Sequence, residues 1–334
     1  MLDRRHALAS GLAAIGTVAL TRGVRAQRNT LVKVRYNEVV RSILYAPAYV
    51  AMTKGFFRDA GIDIVLSTAQ GGDRSVAAIL SNSADIALIG PEQPIYVFNS
   101  ESPTKLRIFC GLTSTDGDLL VGRNKVEAFD WNMLRGKEIL GRIAGSTPLV
   151  FLEAALRKNG LDPYRDVKLV NNLAIPARMG AWIAGQAQFG IFVEPEASQL
   201  ELDGRAHILA SIGQTMGYAD FTAFMATDRY IRDNPELIQN WTNAIYRAQQ
   251  WTATAPTAEI VDILRPYFPG IAVAALTSAT ERYRAIKIWK TSPVIDPPAM
   301  ENFQDILVLG NALDPSKRVK FADLVRPEFA SKAK

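Results

Sequence analysis

The groups best suited to chemistry in this chain are two carboxylates, Glu194 and Glu196, which flank Pro195 in "VEPEAS". Paired acids can divide acid and base roles between them. They equally describe a solvated helix start, and the spacing alone leaves both readings open. His207 opens the apolar run "HILASI", far from any serine-centred turn, and the other histidine, His6, sits at the N-terminus. A Ser/His/Asp triad therefore lacks a base, and no spacing suits a metal. Neither a GxGxxG step nor a Walker loop occurs, so phosphate transfer and nucleotide redox chemistry have no support. Cys110, the single cysteine, lies within "LRIFCGL" and reads as a buried structural thiol.

What remains is a set of polar turns, each between a strand end and a helix start: "EVVRSILYAP", "TAQGGDRS", "GPEQP", "AGSTP" and "VEPEAS". Gly71 and Gly72 allow backbone approach with no Cβ in the way. Exposed amides at helix N-termini favour anionic or hydrogen-bond-accepting groups. Each turn alone is ordinary turn chemistry, but five at the same end of an α/β architecture outline a two-sided cleft.

The elements that must carry these turns alternate. "LVKVRY" has strand periodicity, "APAYVAMTKG" reads as a helix stopped by Gly55, and "IDIVLS" is a second strand. "DRSVAAILSN" places Val76, Ala77, Ile79 and Leu80 on one helical face, followed by the strand "IALIG", a short helix from Pro94 and the strand "LRIFCGL". A second unit follows "TSTDGD": strand "KEILGRI", helix "STPLVFLEAALRKNG", strand "DVKLVNN", helix "ARMGAWIAGQA", and strands "FGIFV", "HILASI" and "FTAFMAT". From Asp228 onward the periodicity is helical. The βαβ repetition predicts mostly parallel α/β sheets with a ligand at the carboxyl ends of the strands. The expected organisation is a leader over 1–26, a discontinuous first lobe over 27–115 plus 222–334, and a second lobe over 116–221. The chain crosses near Thr113 to Asp118 and returns near Gly217 to Phe221.

The apolar fraction of 48% with 21% charged residues is that of a globular chain, which excludes disordered and fibrous classes. The first 26 residues have a basic start, a mildly apolar run from Ala7 to Leu20, and "VRA" before Gln27, the pattern of a cleaved export leader. A membrane anchor needs about 18 continuous apolar residues, and Ser10, Gly11, Gly16 and Thr17 interrupt this run. Arg4 and Arg5 lean toward the twin-arginine route. The leader holds four arginines against one aspartate, +3 of the chain's formal +5, so the rest is nearly neutral. No basic, aromatic-studded surface for nucleic acid remains.

The segment "YAPAYVAMTKGFFRDAGIDIVLSTAQGGDRSVAAILSNSADIALIGPEQ" resembles the first lobe of ABC-importer substrate-binding proteins in the nitrate/sulfonate/taurine and thiamine-precursor (NMT1/THI5-like) group. "ALRKNGLDPYRDVKLV" and "ARMGAWIAGQAQFGIFVEPEAS" are similar to the second lobe. The resemblance covers about Val32 to Gly213 and extends loosely into the helical tail. It implies a two-lobed type II periplasmic binding protein that closes on a solute, acts as a monomer in the periplasm without cofactor or metal, and hands its solute to a membrane permease with a cytoplasmic ATPase. Carried over by position, Ser42 and Tyr45 would contact solute from the first loop, Gly71, Gly72 and Asp73 from the second, and Pro91 and Glu92 from the third. Gly145, Ser146, Thr147 and Glu194 would face them. Arg178, after Pro176, is a further candidate anion partner, set against a solvated first-turn charge. Glu92, Glu194 and Asp73 would suit donor-rich heterocycles, whereas Ser146, Thr147 and Arg178 would suit sulfonates or carboxylates. Two other roles stand beside transport: a ligand-sensing partner of a membrane receptor, and a pyrimidine-precursor synthase. The synthase branch uses a cysteine-rich motif that this chain lacks.

Overall fold

Two five-stranded sheets organise the computed structural model, which describes residues 31–334; the leader expected over 1–26 lies outside the described residues. In chain order the strands are β1 (Val32–Glu38), β2 (Ile62–Thr68), β3 (Ile86–Ile89), β4 (Leu106–Thr113), β5 (Leu119–Gly122), β6 (Glu138–Leu140), β7 (Lys168–Val170), β8 (Phe189–Phe192), β9 (His207–Ser211) and β10 (Thr222–Thr227). The first sheet has the order β2-β1-β3-β10-β4 and the second β7-β6-β8-β5-β9.

Strand β3 is buried at every position, as its unbroken apolar run requires, and pairs in parallel with β1 through Tyr36 and Ile86. Each sheet also holds one reversed strand. β10 runs antiparallel between β3 and β4, and β5 runs antiparallel between β8 and β9. The chain enters each of these strands from the other sheet, which is why their direction opposes the βαβ strands. The sequence pattern does not predict β5, because four apolar residues between charged loops carry no measurable period. The helix expected from Pro94 starts at Glu92 and ends at Asn99.

The helical tail is fastened to the first sheet by aromatic packing. Trp241, on the Pro235–Thr254 helix, meets Tyr36 and Phe224 edge-on with centroids 5.4 Å away in each case, and Phe57 at 4.5 Å. Cys110 is fully buried within β4, and burial pushes its thiol pKa well up. His207 begins the edge strand β9 and is half-buried.

Three segments lie side by side where the sheets join. Residues 113–118 lead from β4 to β5, and 212–221 lead from β9 to β10; Ala219 and Phe221 donate backbone hydrogen bonds to Ser114 and Thr113 at 2.8 and 3.1 Å. The third segment comes from the tail: Ser114 N–H donates to Ile288 at 2.8 Å, and Lys290 N–H donates to Leu112 at 3.0 Å. Beyond it, the Pro297–Leu309 helix packs along the Thr147–Lys158 helix of the second lobe, with Phe303 and Phe151 centroids 5.7 Å apart. The stretch 222–334, expected to lie wholly with the first lobe, therefore sends one helix to the second. The chain then returns to β4, where Arg326 N–H donates to Ile108 at 2.8 Å.

Candidate functional site

The loops after β1, β3, β6 and β8 meet between the lobes. Ser42 is fully buried; its hydroxyl accepts the Leu44 N–H at 3.2 Å and donates to the Glu194 carbonyl of the other lobe at 3.3 Å. Tyr45 is buried beside it. Burial, and then the charges of Glu38 and Glu92, hold its phenol well above the ordinary range.

Glu92 is 3% exposed at the head of the Glu92–Asn99 helix. Gln93 donates to its Oε1 at 3.0 Å, while Oε2 has no hydrogen-bond partner. Burial raises its carboxyl pKa, and the Thr147 hydroxyl of the opposite lobe and the Gln93 amide offset that only in part. A side chain at Gly90 would collide with this carboxyl, which gives a packing reason for glycine in "GPE".

Not every residue expected at the site joins this buried set. Asp73 is exposed, and Gly71 and Gly72 are half-buried; a Cβ at Gly72 would come within 3.0 Å of the Gln93 amide. Pro91 is buried at the N-cap of the Glu92 helix. Gly145 is exposed with φ of 79°, and Ser146 turns its hydroxyl back to the Ile143 carbonyl at 2.7 Å. Thr147 is buried against Glu92.

Arg178 is not the solvated first-turn charge set against its anion role but a buried group held by backbone carbonyls. It is 2% exposed, its Nε donates to the Gly141 carbonyl at 2.9 Å, its Nη2 donates to the Ile191 carbonyl, and it lies 5.0 Å over the Phe192 ring. Burial, and then the adjacent Arg142 charge, push its pKa down to about 9. Glu194 is likewise committed: it accepts from Ser198 N–H and Oγ, each at 2.9 Å, and pairs with Arg282. Burial raises its pKa against the pull of Arg282 and Ser198.

Sequence reasoning missed the charged centre. Asp116 and Asp118 sit on the first crossing segment and are fully buried. Arg142, just past β6, grips Asp118 through Nη2 at 2.5 Å and Nε at 3.2 Å. Burial alone would lower the Arg142 pKa, but Asp118 and then Glu196 outweigh it, and the net shift is upward. Asp116 Oδ1 accepts the Asp118 N–H at 3.0 Å and its Oδ2 has no partner; burial and then the Asp118 charge hold its carboxyl well above the ordinary range. Two aspartates around Gly117 at a lobe crossing, and an arginine at a strand end, were the available signals. Among the described residues, no group of His, Cys, Asp and Glu is arranged to hold a metal ion.

A cavity of about 890 Å³ opens elsewhere, along the three crossing segments, with Ser114, Tyr218, Trp289 and Lys290 among its walls. From the first sheet it collects only the segment after β4, Ser114 and Thr115, and nothing from the loops after β1 or β3, so the buried polar set between the lobes is the better candidate for solute.

These two sheets, joined by adjacent crossings, make the two-lobed type II periplasmic binding protein fold. The alkanesulfonate-binding protein SsuA from Xanthomonas axonopodis pv. citri shares it, with a TM-score of 0.71 and 18% identity over 88% of this chain and 98% of that one. The periplasmic nitrate-binding protein NrtA from Synechocystis PCC 6803 does too, with a TM-score of 0.73 and 15% identity over 90% of this chain and 87% of that one. YtlA from Bacillus subtilis (strain 168), named as a binding protein, is 36% identical over 324 residues, 96% of each chain. Residues 42–259 match the family described as NMT1/THI5 like, and the chain belongs to that family.

Proposed function

We propose that this protein is an extracytoplasmic solute-binding protein that carries a small organic solute to an ABC import permease and its ATPase, and does not transform it. The observation that carries this reading is the buried polar set drawn from both lobes, in which Ser42 donates to the Glu194 carbonyl and Glu92 Oε2 is buried without a hydrogen-bond partner. Such groups are costly to bury unless a partner completes them. The family membership and the binding role named for YtlA support it.

In this reading Ser42, Tyr45, Pro91, Glu92, Thr147 and Glu194 form or brace the solute site. Gly71, Gly72, Asp73, Gly145 and Ser146 lie at its rim, and Arg178 supports it from behind. The lobes comprise 27–115 plus 222–334 and 116–221, with the 297–309 helix riding on the second. The leader ends before Gln27, export follows the twin-arginine route to the periplasm, and the mature protein is a monomer.

Small-angle scattering with and without a solute found by thermal-shift screening tests the reading. Closure of the lobes should reduce the radius of gyration with no change in circular dichroism. A tight solute that leaves the scattering profile unchanged, or recovery of a chemically altered solute by mass spectrometry, would contradict it.

A further inference from the structure

We propose that the cavity along the three crossing segments is a second binding site, separate from the solute site between the lobes, and that it takes a small carboxylate on a flat apolar body, of the aromatic-acid class. The proposal goes beyond the solute-binding reading and does not depend on which solute the lobes hold.

The volume of about 890 Å³ is that of a small-molecule site. Ser114 brings in the first crossing, Tyr218 the second and Trp289 the tail segment, so an occupant would span all three connections between the lobes. The ends of the Pro235–Thr254 and Val273–Ala285 helices close the first-lobe side. Trp289 Nε1–H donates to the Ile43 carbonyl at 3.2 Å, which fixes the plane of its ring. Tyr218 and Val294, also in the wall, are large apolar side chains left exposed. Two aromatic rings and an aliphatic group around one cavity suit a flat apolar body.

The charge in the wall is positive and incompletely paired. Among the described residues, Lys290 is the one wall cation with a carboxylate partner, Asp220. Arg284 donates to the Thr252 carbonyl at 3.3 Å, the Ala255 carbonyl at 2.5 Å and the Thr257 hydroxyl at 3.4 Å, all neutral oxygens, and its Nε is buried without an acceptor. Lys287, three residues on, is exposed, and the Ser114 hydroxyl pins its backbone to the first crossing by donating to its carbonyl at 2.7 Å. The one carboxylate in the wall, Asp296, stands at the N-cap of the Pro297–Leu309 helix, whose amides offset it. A carboxylate entering here gives the Arg284 Nε an acceptor and Lys287 a counter-charge, as charge-assisted bonds, while its apolar body covers the exposed rings. An amine would meet two unpaired cations, and a wholly polar anion would leave the apolar wall wet.

The test titrates the purified chain by calorimetry with three probes that share one ring system: indole-3-acetate, its neutral amide indole-3-acetamide, and the cation tryptamine. Wild type is compared with Lys287→Glu, which reverses the charge at the cavity edge, and Ala253→Trp, which fills the cavity from the last turn of the Pro235–Thr254 helix. Both positions are exposed, so both variants should keep the wild-type circular dichroism and melting temperature. The expected result is saturable binding of the acid to wild type at one site, at least tenfold weaker binding of the amide and of the amine, and at least tenfold weaker binding of the acid to each variant. Equal affinity for the acid and either analogue overturns the ligand class. Unchanged binding of the acid to either folded variant places it elsewhere and overturns the site, as does the absence of saturable binding to wild type. Should Ala253→Trp fail to fold, Lys287→Glu decides alone. None of these outcomes bears on the solute-binding role, which closure in scattering reads separately.

Discussion

The Tyr283 hydroxyl donates to the Gly117 carbonyl at 2.9 Å and accepts the Glu194 N–H at 3.0 Å, so one fully buried phenol ties the Val273–Ala285 helix to a crossing segment and to the second lobe. Burial, and then the Glu194 charge, hold this phenol well above its ordinary range, so it remains a donor throughout the physiological range. It is placed to register the relative position of the lobes, since both bonds survive only while Gly117 and Glu194 stay close together.

Tyr283→Phe removes both bonds while keeping the ring's T-shaped packing on Trp289. Two backbone groups then lose their partner, which should reduce stability by about 1–3 kcal/mol. Urea unfolding should show a lower midpoint, and scattering of the solute-free variant should give a larger radius of gyration. An unchanged midpoint would mean that water replaces the hydroxyl at no cost and that the tie has no mechanical role.

Glu92 should leave a pH signature. Its folded-state pKa is raised, so its contribution to stability is complete below the ordinary carboxylate range and declines as pH rises through the raised value. Glu92→Gln does not titrate. The variant and wild type should therefore melt together near pH 4, and the variant should gain an advantage of about 1–3 kcal/mol by pH 8. A difference that does not vary with pH would show that Glu92 is ionised and compensated in the fold.

The Arg142–Asp118 pair should behave as a unit. Arg142 is 9% exposed and Asp118 0%, so Arg142→Met leaves a buried carboxylate alone and should cost about 3–5 kcal/mol. Adding Asp118→Asn should recover most of that loss. Denaturant midpoints for the two singles and the double close the cycle, and additive losses would show that the two groups are not coupled.

Gly213 touches the first crossing segment, where a Cβ would collide with the Asp116 carbonyl and lie 2.6 Å from the Thr115 methyl group. Gly213→Ala should separate the two crossings and lower stability by about 1–3 kcal/mol. The melting temperature reads this directly. Gly160→Ala serves as the contrast: a Cβ there meets nothing within 4 Å, and the penalty comes from its φ of 76°.

How much of this was legible in the sequence depended on how local each cause was. The turns that hold Ser42, Glu92 and Thr147 could be read because each follows a strand end and precedes a helix, a pattern written within a few residues, and the family resemblance singled out those residues within them. Arg178 could be noticed but not interpreted, since its burial is decided by carbonyls at Gly141 and Ile191. Asp116 and Asp118 looked like ordinary loop charges, because only the apposition of two lobes removes them from water. The Pro297–Leu309 helix was recognisable as a helix, yet its choice of the second lobe rests on Phe303 and Asn311's neighbour Gly310 fitting against Phe151 and Val150.

That tail helix changes the kinematics of the molecule. Two straps placed next to each other let one body swing about them and also twist, as a gate does on a single pin. A third attachment, running out along 288–296 and back through 310–320, would restrict that twist and favour one axis of rotation. If the lobes close on a solute as proposed, each closing stroke would end with the same outer faces in the same orientation, and a permease touching both lobes at once would meet a reproducible geometry.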